Sequence, residues 1–111
     1  MAQNIIFYEG SNQKTPFLQW LNNLKDRKAI AIIHARLNRL RLGNFGDCKY
    51  LRNNIWELRI HYTKGYRIYF AKHKRDCIII LYAGNKKTQF LDIDKAVKYM
   101  KQFKQELKND P

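Results

Sequence analysis

The sequence predicts an α+β fold: an antiparallel sheet packed on one face by two N-terminal helices, plus a C-terminal helix. Three observations lead there. Apolar residues recur at helical spacing between Thr15 and Leu42 and again after Asp92, they alternate with polar residues from Lys49 to Phe70, and Cys77 to Tyr82 is an unbroken apolar run. Helical and extended patterns that fall in separate blocks define an α+β order.

Ile5-Ile6-Phe7-Tyr8 reads as a short first strand. Thr15-Pro16 marks a helix start, with the hydroxyl at the cap and proline at the first helical position, where its missing N–H costs nothing. Phe17, Trp20, Leu21 and Leu24 follow at helical spacing. Asp26 caps a second helix with Ile30, Ile33, Leu37 and Leu40 on one stripe, Gly43 ends it, and Leu42 to Asp47 is a loop. In the extended stretch Trp56, Leu58, Ile60 and Tyr62 point one way and Glu57, Arg59 and His61 the other. Thr63-Lys64-Gly65 turns the chain, after which Tyr66, Ile68 and Phe70 continue the apolar side, with Arg67 and Tyr69 opposite. A turn at Lys72 to Asp76 leads into the β-branched run, which predicts a central strand buried on both faces. Asp92 or Asp94 starts the last helix, with Ala96, Val97, Met100, Phe103 and Leu107 inward. The helices cover one sheet face; the other is expected to stay partly open.

A chain of 111 residues holds one domain, 1–111, with little to spare for a second. Its 22 lysines and arginines against 9 acids give a formal net charge of +13, which calls for a polyanionic partner: nucleic acid, an acidic protein or an anionic membrane surface. No apolar run approaches transmembrane length, and the first residues lack the layout of a signal peptide. The expectation is a cytoplasmic protein. Cys48 and Cys77 form no C-x-x-C pair and His34, His61 and His73 are scattered, so no metal or other cofactor is expected.

The chemistry concentrates on the strand face opposite the core. Glu57, Arg59 and His61 rise from one face about 7 Å apart, and the paired strand brings Arg67 and Tyr69 beside them. Between Glu57 and Asp76 the sequence has no acid but has Arg59, Lys64, Arg67, Lys72, Lys74 and Arg75; Lys86 and Lys87 follow the buried strand. Arginine grips phosphate bidentately and lysine acts on it as a point charge. Cleaving RNA without a metal requires a base for the 2′-hydroxyl, cations for the charged pentacoordinate phosphate and an acid for the leaving oxygen. His61 suits either proton role, because imidazole titrates near neutrality, and Glu57 is the alternative base. Arg59, Arg67 and Lys86 form the electrostatic clamp; Lys64, Tyr69, Lys72, Lys74, Arg75 and Lys87 are RNA contacts, with Tyr69 either stacking on a base or packing at the sheet margin. Plainer readings stand beside these: basic residues on an exposed strand also deter edge pairing, and Glu57 with Arg59 also reads as a surface charge pair. Trp56 and Tyr66 read as core, and Arg36, Arg39 and Arg41 as a solvated or partner-facing stripe.

The stretch from Ile55 to Phe70, I-W-E-L-R-I-H-Y-T-K-G-Y-R-I-Y-F, resembles the signature of the phage-derived HigB-like toxins of the RelE/ParE superfamily. The resemblance continues through Tyr82-Ala83-Gly84-Asn85-Lys86-Lys87-Thr88-Gln89 and Asp92-Ile93-Asp94-Lys95-Ala96, and reaches back to both N-terminal helices. It implies the toxin of a type II toxin–antitoxin module: a cytoplasmic, ribosome-dependent endoribonuclease cutting mRNA, restrained by a cognate helix-turn-helix antitoxin of the HigA-like kind, with a toxin–antitoxin heterotetramer as one assembly. The family's cationic positions fall on Arg59, Arg67 and Lys86 or Lys87, while Glu57 occupies a position that is basic in some relatives. RelE-type enzymes also use a tyrosine near the C-terminal end; here that region reads Phe90-Leu91-Asp92, and His61 is the preferred replacement in proton transfer. ParE toxins share the fold but poison DNA gyrase without nuclease chemistry. A member that only binds its antitoxin is the third reading.

Overall fold

The chain is described over residues 2–109 in a computed structural model. Met1, Asp110 and Pro111, which the single-domain expectation spans, lie outside the described residues. The elements run β1 (Asn4–Phe7), α1 (Pro16–Asn23), α2 (Arg27–Arg41), β2 (Cys48–Arg52), β3 (Ile55–Ile60), β4 (Tyr66–His73), β5 (Cys77–Asn85), a 3-10 turn (Lys86–Thr88) and α3 (Gln89–Asn109). The five strands form one sheet in the order β1-β5-β4-β3-β2. From β2 to β5 it is the antiparallel meander that the alternation predicts. β1 corrects the expectation of an all-antiparallel sheet: it pairs in parallel with β5, Phe7 opposite Ile80, so the sheet is mixed. The chain leaves β1 through two helices before the meander begins, and β1 then covers the edge of the most apolar strand.

α1 and α2 start where the sequence places them. Pro16 opens α1, although Thr15 makes no capping hydrogen bond with its side chain; Asp26 caps α2 by accepting from the Ala29 amide at 3.1 Å. Phe17, Leu21, Ile33, Leu37 and Leu40 from these helices pack on Leu58, Ile60, Tyr66, Ile68, Phe70, Ile78 and Ile80 of the sheet. Burying side chains of this size stabilises a fold by about 1.5–3 kcal/mol each, so this layer holds the sheet to its helices.

The second sheet face is not open. α3 lies across it, and Tyr8, Ile55, Tyr69, Ala71, Ile79, Leu81, Ala96 and Met100 form a second core there. Ile78 to Leu81 are fully buried, and a strand apolar on both faces requires a layer on each. α3 also starts earlier than Asp92. The Asn85 side chain accepts from the Lys87 and Thr88 amides while the Thr88 hydroxyl accepts from the Asn85 amide, a reciprocal capping box. Asp92 is therefore buried in the first turn of α3 instead of capping it. Leu107, expected inward, is 47% exposed. Among the described residues no helix is long and apolar enough to cross a membrane.

Candidate functional site

The turn between β3 and β4, the end of β5 and the start of α3 converge at one end of the sheet. The turn is set by Thr63 and Gly65, both at positive φ (43° and 69°), the second glycine as this conformation favours. The Lys86 amide donates to the Lys64 carbonyl at 3.3 Å, which ties the start of the 3-10 turn to the hairpin.

Arg59 and Arg67 are direct cross-strand partners in the β3–β4 register. Like charges opposite each other in a sheet repel, and each arginine here has its own carboxylate. Arg59 Nη2 donates to Asp47 Oδ1 at 3.0 Å. Arg67 Nε lies 3.6 Å from Glu57 Oε2, and Arg67 Nη1 donates to the Gly65 carbonyl at 2.9 Å. The Nε groups of both arginines are buried and make no hydrogen bond, so neither guanidinium has its donors fully used.

Asp47 joins this cluster to His61, whose Nε2 is 2.5 Å from Asp47 Oδ2. His61 lies just past β3 with its side chain 74% exposed. The hydrogen bond from His61, then that from Arg59, holds the Asp47 carboxyl below the usual range. An ionised Asp47 can only accept, so Nε2 carries a proton and Nδ1 of the neutral ring is left as the acceptor. Sequence reasoning left Asp47 at the end of a loop. The β2–β3 register pairs Cys48 with Leu58, which places Asp47 opposite Arg59, but no local signal in the sequence fixes that register.

Glu57 and Tyr69 sit on the predicted face but under α3, with 1% and 0% exposure. The expectation of Tyr69 as an RNA contact is corrected accordingly: its ring is covered by the helix and offers no face to a base. Burial, with the carboxylates of Glu57 and then Asp92 adding to it, pushes its phenol far up, so the group stays protonated. Glu57 accepts from Gln89 Nε2 at 2.7 Å, and its buried carboxylate positions Arg67 rather than meeting a substrate. Gln89 and Thr88, whose hydroxyl donates to Asp92, carry the resemblance but no role in the sequence reading, because α3 was placed to start after them.

Arg59, His61, Lys64, Arg67, Lys86 and Lys87 thus meet at one end of the sheet. Lys72, Lys74 and Arg75 do not join them: they lie at the other end of the eight-residue β4, roughly 20 Å away. There Lys72 Nζ rests 4.2 Å above the Trp56 ring and 4.8 Å above Phe45. Arg36 leaves its expected solvated stripe to donate to the Arg59 carbonyl at 2.7 Å, fixing α2 to the β3 end. Phe90, 82% exposed, and Leu91 stand beside the lysines at the start of α3.

Fold and site define a small basic α+β protein that presents a cationic sheet end, with a carboxylate-held histidine on its rim. Residues 19–105 match the phage-derived Gp49-like proteins (DUF891), and the chain belongs to that family, which is of the RelE/HigB-like toxin kind and implies an antitoxin partner. An uncharacterized protein of Haemophilus influenzae is 44% identical over 91 residues, 82% of this chain and 88% of its own length.

Proposed function

We propose that this chain is the toxin of a type II toxin–antitoxin module, a cytoplasmic ribosome-dependent endoribonuclease that stops translation by cutting mRNA. The observation that carries the reading is the convergence of the Arg59–Arg67 cross-strand pair, Lys86 and the His61–Asp47 pair at one end of the sheet. Asp47 and Glu57 hold the two guanidinium groups in place, and cations gathered at one sheet end suit a bound phosphate.

In the step this supports, the 2′-hydroxyl oxygen attacks phosphorus and gives its proton to His61 Nδ1. Arg59, Arg67 and Lys86 hold the charged phosphorane, and the 5′ oxygen leaves protonated by water. The products are a 2′,3′-cyclic phosphate and a 5′-hydroxyl. Lys64 and Lys87 bind flanking phosphates. A helix-turn-helix antitoxin would silence the toxin by covering the same end, in a heterotetramer or a smaller complex.

Inducible expression followed by mapping of mRNA 5′ ends tests this. Ribosome-phased cuts that vanish with Arg67→Ala, and fall about 10²-fold or more with His61→Ala, are expected. DNA damage with intact mRNA would instead mark a gyrase poison, and growth without arrest a chain that only binds its antitoxin.

A further inference from the structure

A cleft of about 540 Å³ opens between the β1–α1 loop, α1, the end of β5 and α3, on the far side of β5 from Arg67. Its size falls in the ~300–1,000 Å³ range of small-molecule sites. It exists because the two parallel strands differ in length. β1 makes its last pairing at Phe7 with Ile80, while β5 continues to Asn85, so the last stretch of β5 has no strand on that side.

The walls are rings and amides. Tyr82 meets Tyr99 edge to face at 5.8 Å, Tyr99 stacks on Tyr8 at 5.1 Å, and Trp20 faces the cleft from α1. Gln19 and Asn23 stand on the same side of α1, and both are exposed. Among the described residues no carboxylate and no Leu, Ile, Val or Met lines the cleft, while Lys14 lines it and Lys95 Nζ lies over the Tyr82 ring, 5.2 Å from its centre, where an entering base would displace it toward the phosphate. Half-buried rings with amides at their edges and ammonium groups beside them suit an unpaired base and its phosphate. Gly84 pairs with Arg67, and Tyr82 lies two residues before it, so the cleft is about 7 Å along β5 from the cationic end, across the first turn of α3.

We propose that this cleft is a nucleotide subsite of the same protein: it takes one unpaired base of a single-stranded RNA whose phosphates run over Arg67 and Lys86. Tyr82 and Trp20 stack the base, and Gln19 and Asn23 hydrogen-bond its edge. The proposal rests on the RNA-cleaving reading and deepens it by assigning one base of the bound strand to a place on the protein outside the cationic end.

Trp20 is a built-in reporter. The full chain is titrated with a 2′-O-methyl heptanucleotide, which cannot be cut, and tryptophan fluorescence is followed together with the anisotropy of a labelled copy. The expected result is saturable quenching that Trp20→Phe abolishes, with an affinity lowered less than by Tyr82→Ala because a phenyl ring still stacks. Tyr82→Ala should weaken binding about tenfold or more, as loss of a stacked base does. Gln19→Ala with Asn23→Ala, on an exposed helix face where folding is not at stake, should weaken it severalfold. Binding without quenching and with unchanged affinity in both variants would remove the subsite and leave the RNA-cleaving reading standing. Quenching without phased mRNA cuts in cells would keep the subsite and sink the cleavage. No binding of the oligonucleotide overturns the subsite, as does quenching produced only by an antitoxin protein.

Discussion

Asp92 and Gly84 show how single residues seat the cationic end. A Cβ at position 84 would overlap the Asp92 carboxylate and the Thr88 hydroxyl, so only glycine lets the first turn of α3 lie against β5. Gly84→Ala is expected to cost about 1–3 kcal/mol in urea unfolding, as overpacking does, and to displace Lys86 and Lys87 with the turn. The two acids at this end titrate in opposite senses. Asp47 has a lowered folded-state pKa, so its contribution to stability is present at neutral pH and is lost as pH falls from about 4 through that lowered value. Asp92 is raised by burial against the help of Thr88 and Lys95, so its contribution is present in acid and is lost as pH rises through the raised value. Urea midpoints between pH 2 and 7 check both signs. Asp47→Asn should flatten the loss of stability on the acid side, and Asp92→Asn the loss as pH rises above the ordinary carboxylate range. A steeper acid loss in Asp47→Asn would refute the role given to the His61–Asp47 pair.

At the scale of elements, α3 decides what the sheet exposes. Met100 is buried in the second core whereas Leu107 is beyond the sheet. Met100→Ala should therefore cost about 2–4 kcal/mol and Leu107→Ala no more than about 0.5, by chemical or thermal unfolding. Equal effects would mean that the end of α3 packs where the sequence places it. The hairpin was legible because period-two alternation sorts its side chains by face, and Leu58, Ile60, Tyr66 and Ile68 are buried as that sorting requires. The helix over the other face was legible as an element but not as a cover. Its start is set by Asn85 and Thr88, which carry no apolar periodicity, and the exposed Phe90 and Leu91 blur its stripe. The parallel pairing of β1 was not legible either, because four residues carry no mark of which strand they will join. Residue by residue, the cationic end was readable from Arg59, Arg67 and Lys86, whereas Asp47 needed the β2–β3 register and Gln89 the true start of α3.

Over the whole molecule, a formal charge of +13 repels itself in the folded state and attracts any polyanion. Salt should thus act with two signs: it screens the self-repulsion and raises the urea midpoint of the chain alone, while it weakens RNA binding by reducing counterion release. The second effect reports where the strand lies. For single strands the slope of log affinity against log salt is about −0.7 per phosphate neutralised, so five contacts from Arg59, Lys64, Arg67, Lys86 and Lys87 give roughly −3.5. Neutralising Lys86 and Lys87 together, as Lys86→Gln with Lys87→Gln, should make the slope shallower by about 1.4. The same treatment of Lys74 and Arg75, at the far end of β4, should leave it unchanged, since no short strand held at Arg67 needs to reach them. Anisotropy titrations of one oligonucleotide at several salt concentrations measure both. Equal losses from the two pairs would mean that RNA runs the length of β4, and the split of the basic residues into a working end and a remote end would fall.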